Sequence, residues 1–459
     1  MVSVSSISGG RDGGKTFQPC LKPPGRRDLL GRPPLPPGEA AGWSGPSRRR
    51  LLTGAGLFGA GLFGAGAVAG GLTGYVTASQ DEPGAAAGAG TQTVPFYGAH
   101  QAGIITPAHY RLAFGTLNVT PGAARTDVRD VLREWTIAAA RMTSGRLVGE
   151  DSVPEAPPVD TGEAIGSAVG RLTITIGYGP SLFDQRFGLA ERKPSALAGL
   201  PPLPNENLDP DYTGGDVCVQ ACSDDPLVAF HAVRNLARIG MGVVEHNWME
   251  LGFGRTSATS AAQATPRNLL GFKDGTRNVK AEQTDLLNQH VWVGRETDQP
   301  WLRGGSYLVA RKIRMFVENW DRDYLKDQEN VIGRVKVSGA PLSGGSEFSP
   351  PDFAARGSDG EPAIPADAHI RLASPEHNGG TRILRRGYSF TDGIDPQAGT
   401  LLGGLFFIAF MKDPAQFVQL QRSLADDALN EYIHHTGGAV FACSPGLRPG
   451  QHWGDTLFT

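Results

Sequence analysis

Arg171-Leu172-Thr173-Ile174-Thr175-Ile176-Gly177 alternates apolar and polar side chains with a period of two, the repeat of a strand with unlike faces. A second run of this kind, Asp216 to Ala221, follows a long Pro-rich loop, and beyond it lie a helical spacing from Pro226 to Ile239 and an extended stretch from Val243 to Phe253. Upstream, an extended segment around Ala102-Gly103-Ile104-Ile105 and a strand-like Tyr110 to Leu117 precede apolar residues at helical spacing from Thr126 to Met142. Strand, helix, strand, strand, helix, strand is the split βαβ or ferredoxin-like order, an antiparallel sheet with its helices on one face. The order recurs downstream, with strands at Gly305 to Phe316, Arg382 to Ser389 and Gly404 to Met411, a short helix at Val317 to Leu325 and a longer one at Pro414 to His434. The expected fold is α+β, with two ferredoxin-like domains over residues 94–265 and 266–459.

The 459 residues are 40% hydrophobic and 19% charged, enough apolar material for one large or two ordinary cores. The first ninety or so stand apart, crowded with Gly, Pro, Ala and Arg and without sustained periodicity. Within them Ser47-Arg48-Arg49-Arg50-Leu51-Leu52 leads into a Gly/Ala-rich apolar run from Leu51 to Val76 and a small-residue site at Val76-Thr77-Ala78. That is the pattern of a twin-arginine export signal, so residues 1–78 read as a leader and 79–93 as a linker. Glycines dilute the run too heavily for a membrane anchor, since a spanning helix needs about 20 nearly continuous apolar residues. The twin-arginine route moves proteins already folded, which raises the expectation of a bound cofactor and of a periplasmic, cell-envelope or extracellular destination. Nine of the 43 basic residues and three of the 46 acidic ones precede the cleavage site, so the remainder carries a formal charge of −9. Nucleic acid is a poor partner for such a chain. Cys218, Cys222 and Cys443 remain after cleavage, too few for a disulfide framework and without metal spacing, so they read as core.

Four segments carry chemistry: His100-Gln101-Ala102-Gly103-Ile104; Gly271-Phe272-Lys273-Asp274-Gly275-Thr276-Arg277-Asn278; Ala368-His369-Ile370-Arg371-Leu372-Ala373-Ser374-Pro375; and Leu384-Arg385-Arg386-Gly387-Tyr388-Ser389. Gly-x-x-Asp-Gly alone is a common turn, because Asp bonds nearby backbone and Gly accepts positive φ. In this order, with Gln220 to Pro226, Ser338 to Leu342, Asn430 to Ile433 and Phe441-Ala442 alongside, the chain resembles the dye-decolorising (DyP-type) haem peroxidase family, in its exported deferrochelatase/peroxidase-like branch. The resemblance spans essentially everything after the leader, and implies two ferredoxin-like domains enclosing one haem b, held mainly by the second.

A peroxidase holds iron by a nitrogen ligand on one side and leaves the other open to peroxide; the resemblance makes His369 that ligand. Cleaving peroxide needs a base to move a proton from the inner to the outer oxygen and a cation to stabilise the departing charge. Asp274 and Arg385 fit these roles; strand alternation sends Arg386 to the opposite face, and the family pattern selects Arg385. An axial histidine usually donates its other ring N–H to an acceptor. If the last helix runs through, Glu431 shares the stripe of Phe417, Leu420, Leu424 and Ala428 and becomes the expected acceptor, the alternative being a helix-end glutamate turned to water. By resemblance, Gly275, Thr276, Arg277, Ser374, Pro375 and Glu376 lie against the haem or its propionates. Leu405 and Phe407 point the same way on their strand and either wall the open side or pack as ordinary core. Donors too bulky for a peroxide-sized pocket would need surface aromatics, for which Tyr388, Trp301 and Trp320 are candidates against plain core packing.

The expected function is reduction of hydrogen peroxide with one-electron oxidation of organic donors. Its competitors are a deferrochelatase, which frees iron from haem and leaves the porphyrin whole, and a non-catalytic haem carrier, which has no use for an Asp/Arg pair. Homo-oligomers and iron-uptake partners stay open. An aspartate, with an ordinary pKa near about 3.9, remains ionised where a distal histidine would be protonated. Dye oxidation followed against pH is therefore expected to peak on the acid side; an optimum well above neutrality removes support for Asp274 as the base.

Overall fold

The computed structural model describes residues 92–459 apart from 106, 150–152 and 256; the twin-arginine motif, its apolar run and nearly all of the linker lie outside the described residues. The first half runs β1 (Arg111–Val119), α1 (Arg125–Thr143), β2 (Thr173–Tyr178), β3 (Val217–Ser223), α2 (Pro226–Ile239) and β4 (Val244–Arg255). The start of α2 is set locally: Asp225 accepts hydrogen bonds from the Leu227 and Val228 N–H groups, and Pro226 occupies the first turn, where its missing N–H costs nothing. The second half runs α3 (Thr284–His290), β5 (Ser306–Met315), α4 (Val317–Trp320), α5 (Leu325–Ile332), α6 (His369–Leu372), β6 (Leu384–Arg385), β7 (Tyr388–Ile394), β8 (Leu401–Met411), α7 (Ala415–Ser423) and β9 (Ile433–Cys443).

Both halves arrange their strands as second, third, first, fourth: β2-β3-β1-β4 and β7-β8-β5-β9, with every neighbour antiparallel. This is the ferredoxin-like order expected from the sequence, twice over. The sheets also meet at their edges, β2 with β9 at Tyr178–Ala442 and β4 with β7 at Phe253–Ser389, so the strands close on themselves. Phe114, Cys218, Cys222, Trp248, Tyr388, Phe406, Phe410, Phe441 and Cys443 fill the interior of that closure, and the three cysteines are free and buried. On the outer face of the first half, Ile174 and Ile176 pack with Val128, Leu132, Trp135, Val233 and Leu236 of α1 and α2.

Three local expectations are corrected. The segment around Ala102 to Ile105 is a run of turns and bends, not an extended segment; Gln101 donates to the Ile176 and Ser444 carbonyls, and Gly103, at φ 93°, passes so close to Thr173 and Thr175 that no side chain fits there. The Arg382 to Ser389 strand begins only at Leu384 and is divided into β6 and β7, which share one register on β8 with the Arg386 N–H bonding the Ile408 carbonyl between them, while the Arg386 guanidinium points inward to the Pro107 carbonyl and His109. The helix expected to reach His434 stops at Ser423: the Asp427 side chain accepts the Leu429 N–H, opens a 3₁₀ turn over Ala428–Glu431, and β9 follows.

The C-terminal segment returns to the first half, where Trp453 is 2% exposed, packs on Phe96 and donates its backbone N–H to Thr136 Oγ1 at 2.8 Å. Trp453→Ala is expected to cost about 3–5 kcal/mol, as large-to-small core substitutions do. Urea unfolding checks this, and a loss below about 1 kcal/mol would mean the tail does not brace α1.

Candidate active site

The second half covers its outer sheet face only with short helices and loops, and a cavity opens there. Ile313 and Met315 of β5, Leu405 and Phe407 of β8, Ile433 of β9 and Phe417 and Leu420 of α7 line it, with Phe417 packed against Phe407. Leu405 and Phe407 thus point to the same side, as their spacing implied. Gly275, Thr276, Arg277, Ser374 and Pro375 also border the cavity.

Asp274 is placed by its own motif. Its N–H bonds the Pro266 carbonyl, and the next residue, Gly275, lies at φ 91° with so little room that a Cβ would come within 2.9 Å of the Ser257 backbone. Four residues on, Asn278 Nδ2 donates to the Arg385 carbonyl at 2.8 Å, and Asn278 Oδ1 accepts the Arg385 N–H at 2.8 Å. The motif therefore fixes the backbone of Arg385 as well as presenting Asp274. Arg385 Nη1 donates to Asp274 Oδ1 at 2.6 Å, which leaves Oδ2 without a protein hydrogen bond among the described residues. The two-point grip by Asn278 was not foreseen from the sequence, although the residue stands inside the quoted motif.

His369 opens α6, deep in the protein, yet 30% of its side-chain surface is accessible because the ring fronts the cavity. Its Nδ1 donates to Asp427 Oδ2 at 2.6 Å, which frees Nε2 as a ligand atom. Burial works against a charged imidazole here, but the charge and hydrogen bond of Asp427 outweigh it and raise the pKa. Asp274 and Arg385 also act on this ring, with opposite signs, so the three groups share one site. His435 borders the same cavity, but no carboxylate anchors it; burial, then repulsion from Arg311, pushes it down to about 3.

The acceptor is Asp427, not Glu431. Glu431 is exposed, because the chain leaves α7 at Ser423 and the helical spacing that would have aligned it with Phe417 does not persist. The one local signal was the Asp426-Asp427 pair, an N-cap residue type within an otherwise helical pattern. Glu376 does not border the cavity either: it takes a two-point hydrogen bond from Arg277, 2.7 and 3.0 Å, which holds its carboxyl down at about 2. A carboxylate placed directly against propionates would repel them, whereas this clasp remains ionised across the acidic range. Trp301, Trp320 and Tyr388 are all buried, at 4, 1 and 1% exposure, so none is itself a surface exit for electrons.

The cavity suits a flat apolar macrocycle with two carboxylates. Beside its apolar walls, Arg334 is 4% exposed and bonds only backbone carbonyls, those of Gly339 and Glu347. Burial and repulsion from Arg277 and Arg385 lower it to about 10. Arg382 is lowered for the same reasons, burial first and then Arg277. Two cations with no carboxylate hydrogen-bonded to them among the described residues, next to an apolar slot with an anchored imidazole, match the propionates, ring and iron of haem.

A carboxylate-anchored imidazole and an Asp–Arg ion pair bordering one apolar cavity are the residue types that a haem peroxidase needs for peroxide cleavage. Residues 101–254 match the family model of the Dyp-type peroxidase N-terminal domain and residues 265–448 that of the C-terminal domain; the chain belongs to the Dyp-type peroxidase family. Ferric DtpA from Streptomyces lividans is 37% identical with a TM-score of 0.74, the match covering 81% of this chain and 98% of that one. The DyP-type peroxidase SCO3963 from Streptomyces coelicolor is also 37% identical, with a TM-score of 0.74 over 80 and 98% of the two chains. Among curated relatives, the deferrochelatase of Yersinia pseudotuberculosis is 37% identical over 426 residues, 89% of this chain and 94% of its own length. That of Escherichia coli O157:H7 is 38% identical over 412 residues, 88 and 94% of the two chains.

Removing the partner of a metal-bound histidine typically costs about 10–100-fold in affinity. Asp427→Ala is expected to speed haem transfer to apomyoglobin on that scale, and Glu431→Gln to leave it unchanged. The opposite pattern would restore the acceptor expected from the sequence.

Proposed function

We propose that this chain is a haem-dependent peroxidase in which His369 would ligate the haem iron and Asp274 and Arg385 would handle hydrogen peroxide. The observation that supports this reading best is the convergence, on one apolar cavity, of an imidazole held by a carboxylate and an Asp–Arg ion pair. When bound, haem b would supply the redox chemistry for reduction of peroxide and one-electron oxidation of an organic donor. The protein's part is positional and electrostatic. Asp427 holds the Nδ1 proton of His369, which orients the ring and raises its basicity. Asp274 takes a proton from the inner peroxide oxygen through Oδ2 and returns it to the outer one, while Arg385 steadies the negative charge that develops as the O–O bond lengthens. Leu405 and Phe407 keep water from that pair, and Arg334 and Arg382 receive the propionates, with Gly275, Thr276, Ser374 and Pro375 against the ring edge.

Asp274→Asn should lower the rate of peroxide cleavage by about 10²–10⁴-fold, the usual worth of a positioned base, with the Soret band retained. Stopped-flow mixing with peroxide measures it; a variant as fast as the parent sinks the assignment.

A second reading is favoured by the curated relatives, which are named deferrochelatases: release of iron from haem with the porphyrin intact. Incubation with haem, with and without peroxide, followed by protoporphyrin fluorescence separates the two, since a peroxidase alone yields no metal-free ring. The reading also includes twin-arginine export with residues 1–78 as leader and 79–93 as linker, and domains over 94–265 and 266–459. No helix among the described residues is long and apolar enough to cross a membrane.

A further inference from the structure

Asn205 is one of two non-glycine residues at positive φ among the described residues, at 59°, on the Pro-rich loop between β2 and β3. Asparagine tolerates this region better than most residues, but holding it there still needs a compensating interaction. The compensation reaches across to the other half of the molecule. Asn205 Nδ2 donates to Asn430 Oδ1 at 3.1 Å and to the Ile433 carbonyl at 2.7 Å, and its own carbonyl accepts the His435 N–H at 3.2 Å. The loop is laid along the start of β9 by two more bonds, Asn207 N–H to His435 O at 2.9 Å and Asp209 N–H to Thr436 O at 2.8 Å, and by the Arg311–Glu206 ion pair.

We propose that Asn205 is a positioning residue for the axial imidazole, acting through the turn that carries Asp427; the proposal rests on the reading of His369 as the iron ligand. Asn430, held by Asn205, donates through Nδ2 to the Leu424 and Ala425 carbonyls at 2.8 and 3.2 Å and through its N–H to the Asp427 carbonyl at 2.9 Å. It thereby ties both ends of the turn. Inside it Asp427, with 3% of its side chain exposed, has Oδ1 fixed by the Leu429 N–H at 2.9 Å, so only Oδ2 is left for His369. A hydrogen bond of 2.6 Å between a carboxylate and an imidazole depends steeply on where the carboxylate stands. The first half, which supplies no residue to the cavity wall, thus controls how strongly the ligand pushes on the iron.

Two substitutions separate positioning from loop packing. Asn205→Gly keeps the backbone conformation and removes the amide; Asn205→Asp keeps shape and conformation but sets a carboxylate against two oxygens. In full-length, haem-loaded protein, both are expected to move the iron–imidazole stretching band of the ferrous state, read by resonance Raman, toward its value in Asp427→Asn. Haem transfer to apomyoglobin should quicken by about 3–10-fold, short of the about 10–100-fold typical of direct partners. A loop that merely packs would lower the thermal midpoint and leave the Raman band in place. An unmoved band in both variants, with Asp427→Asn shifted, overturns the proposal and leaves the peroxidase reading standing. If Asn205→Gly does not fold, Asn205→Asp carries the same test. Failure of the parent protein to take up haem overturns the underlying reading and this inference with it.

Discussion

Two antiparallel sheets, each with an edge that would otherwise be exposed, meet at β2–β9 and β4–β7, and the remaining architecture follows from that closure. Once closed, the strands have an inside and an outside. The inside is packed with aromatic rings and buried thiols, so it offers no room for a ligand. A binding site has to form outside, between sheet and helices. In the first half two long helices fill that space. In the second, α7 has only nine residues, α4 and α6 have four each, and the coverage is completed by loops. The slot left over is the cavity on which His369, Asp274 and Arg385 converge.

The charges around this slot make sense only as a set. Asp274 offsets Arg385, Glu376 offsets Arg277, Glu347 takes Lys273, and Asp427 serves His369. Among the described residues Arg334 and Arg382 have no hydrogen-bonded carboxylate, and their pKa values are lowered first by burial and then by repulsion from neighbouring guanidinium groups. Burying such cations unpaired is costly. An anionic cofactor seated beside them would relieve that cost, so binding and stability are coupled in the second half.

Much of this was legible in one dimension. Strand and helix periodicities reported the first ferredoxin-like order and three of the four strands of the second, because a sheet covered on one face imposes a period of two and a helix packed on one side imposes 3.6; β9 was not read, since helical spacing was carried on to His434. Asp274, His369 and Arg385 were legible through their motifs, whose glycines and asparagine are required by close backbone approach at Gly275 and by the grip of Asn278 on Arg385. The end of α7 was not. Phe417, Leu420, Leu424, Ala428 and Glu431 keep helical spacing past the point where the backbone has left the helix, and periodicity does not register a capping bond from Asp427 that replaces the helical one. The misplaced acceptor followed directly from that.

Sequence by itself determined most of the elements and their order, though not β9, and the identity of the three side chains that converge on the cavity, since each is encoded by neighbours a few residues away. Tertiary structure alone decided the partner of His369, the role of Glu376 and the reach of Asn205. These depend on segments 58, 99 and 225 residues apart, brought together only when the sheets close and the loops pack over them. Local patterning carries no record of such distances, because the energy that selects those pairs is the avoided cost of leaving buried polar groups unpaired, and burial is a property of the folded whole.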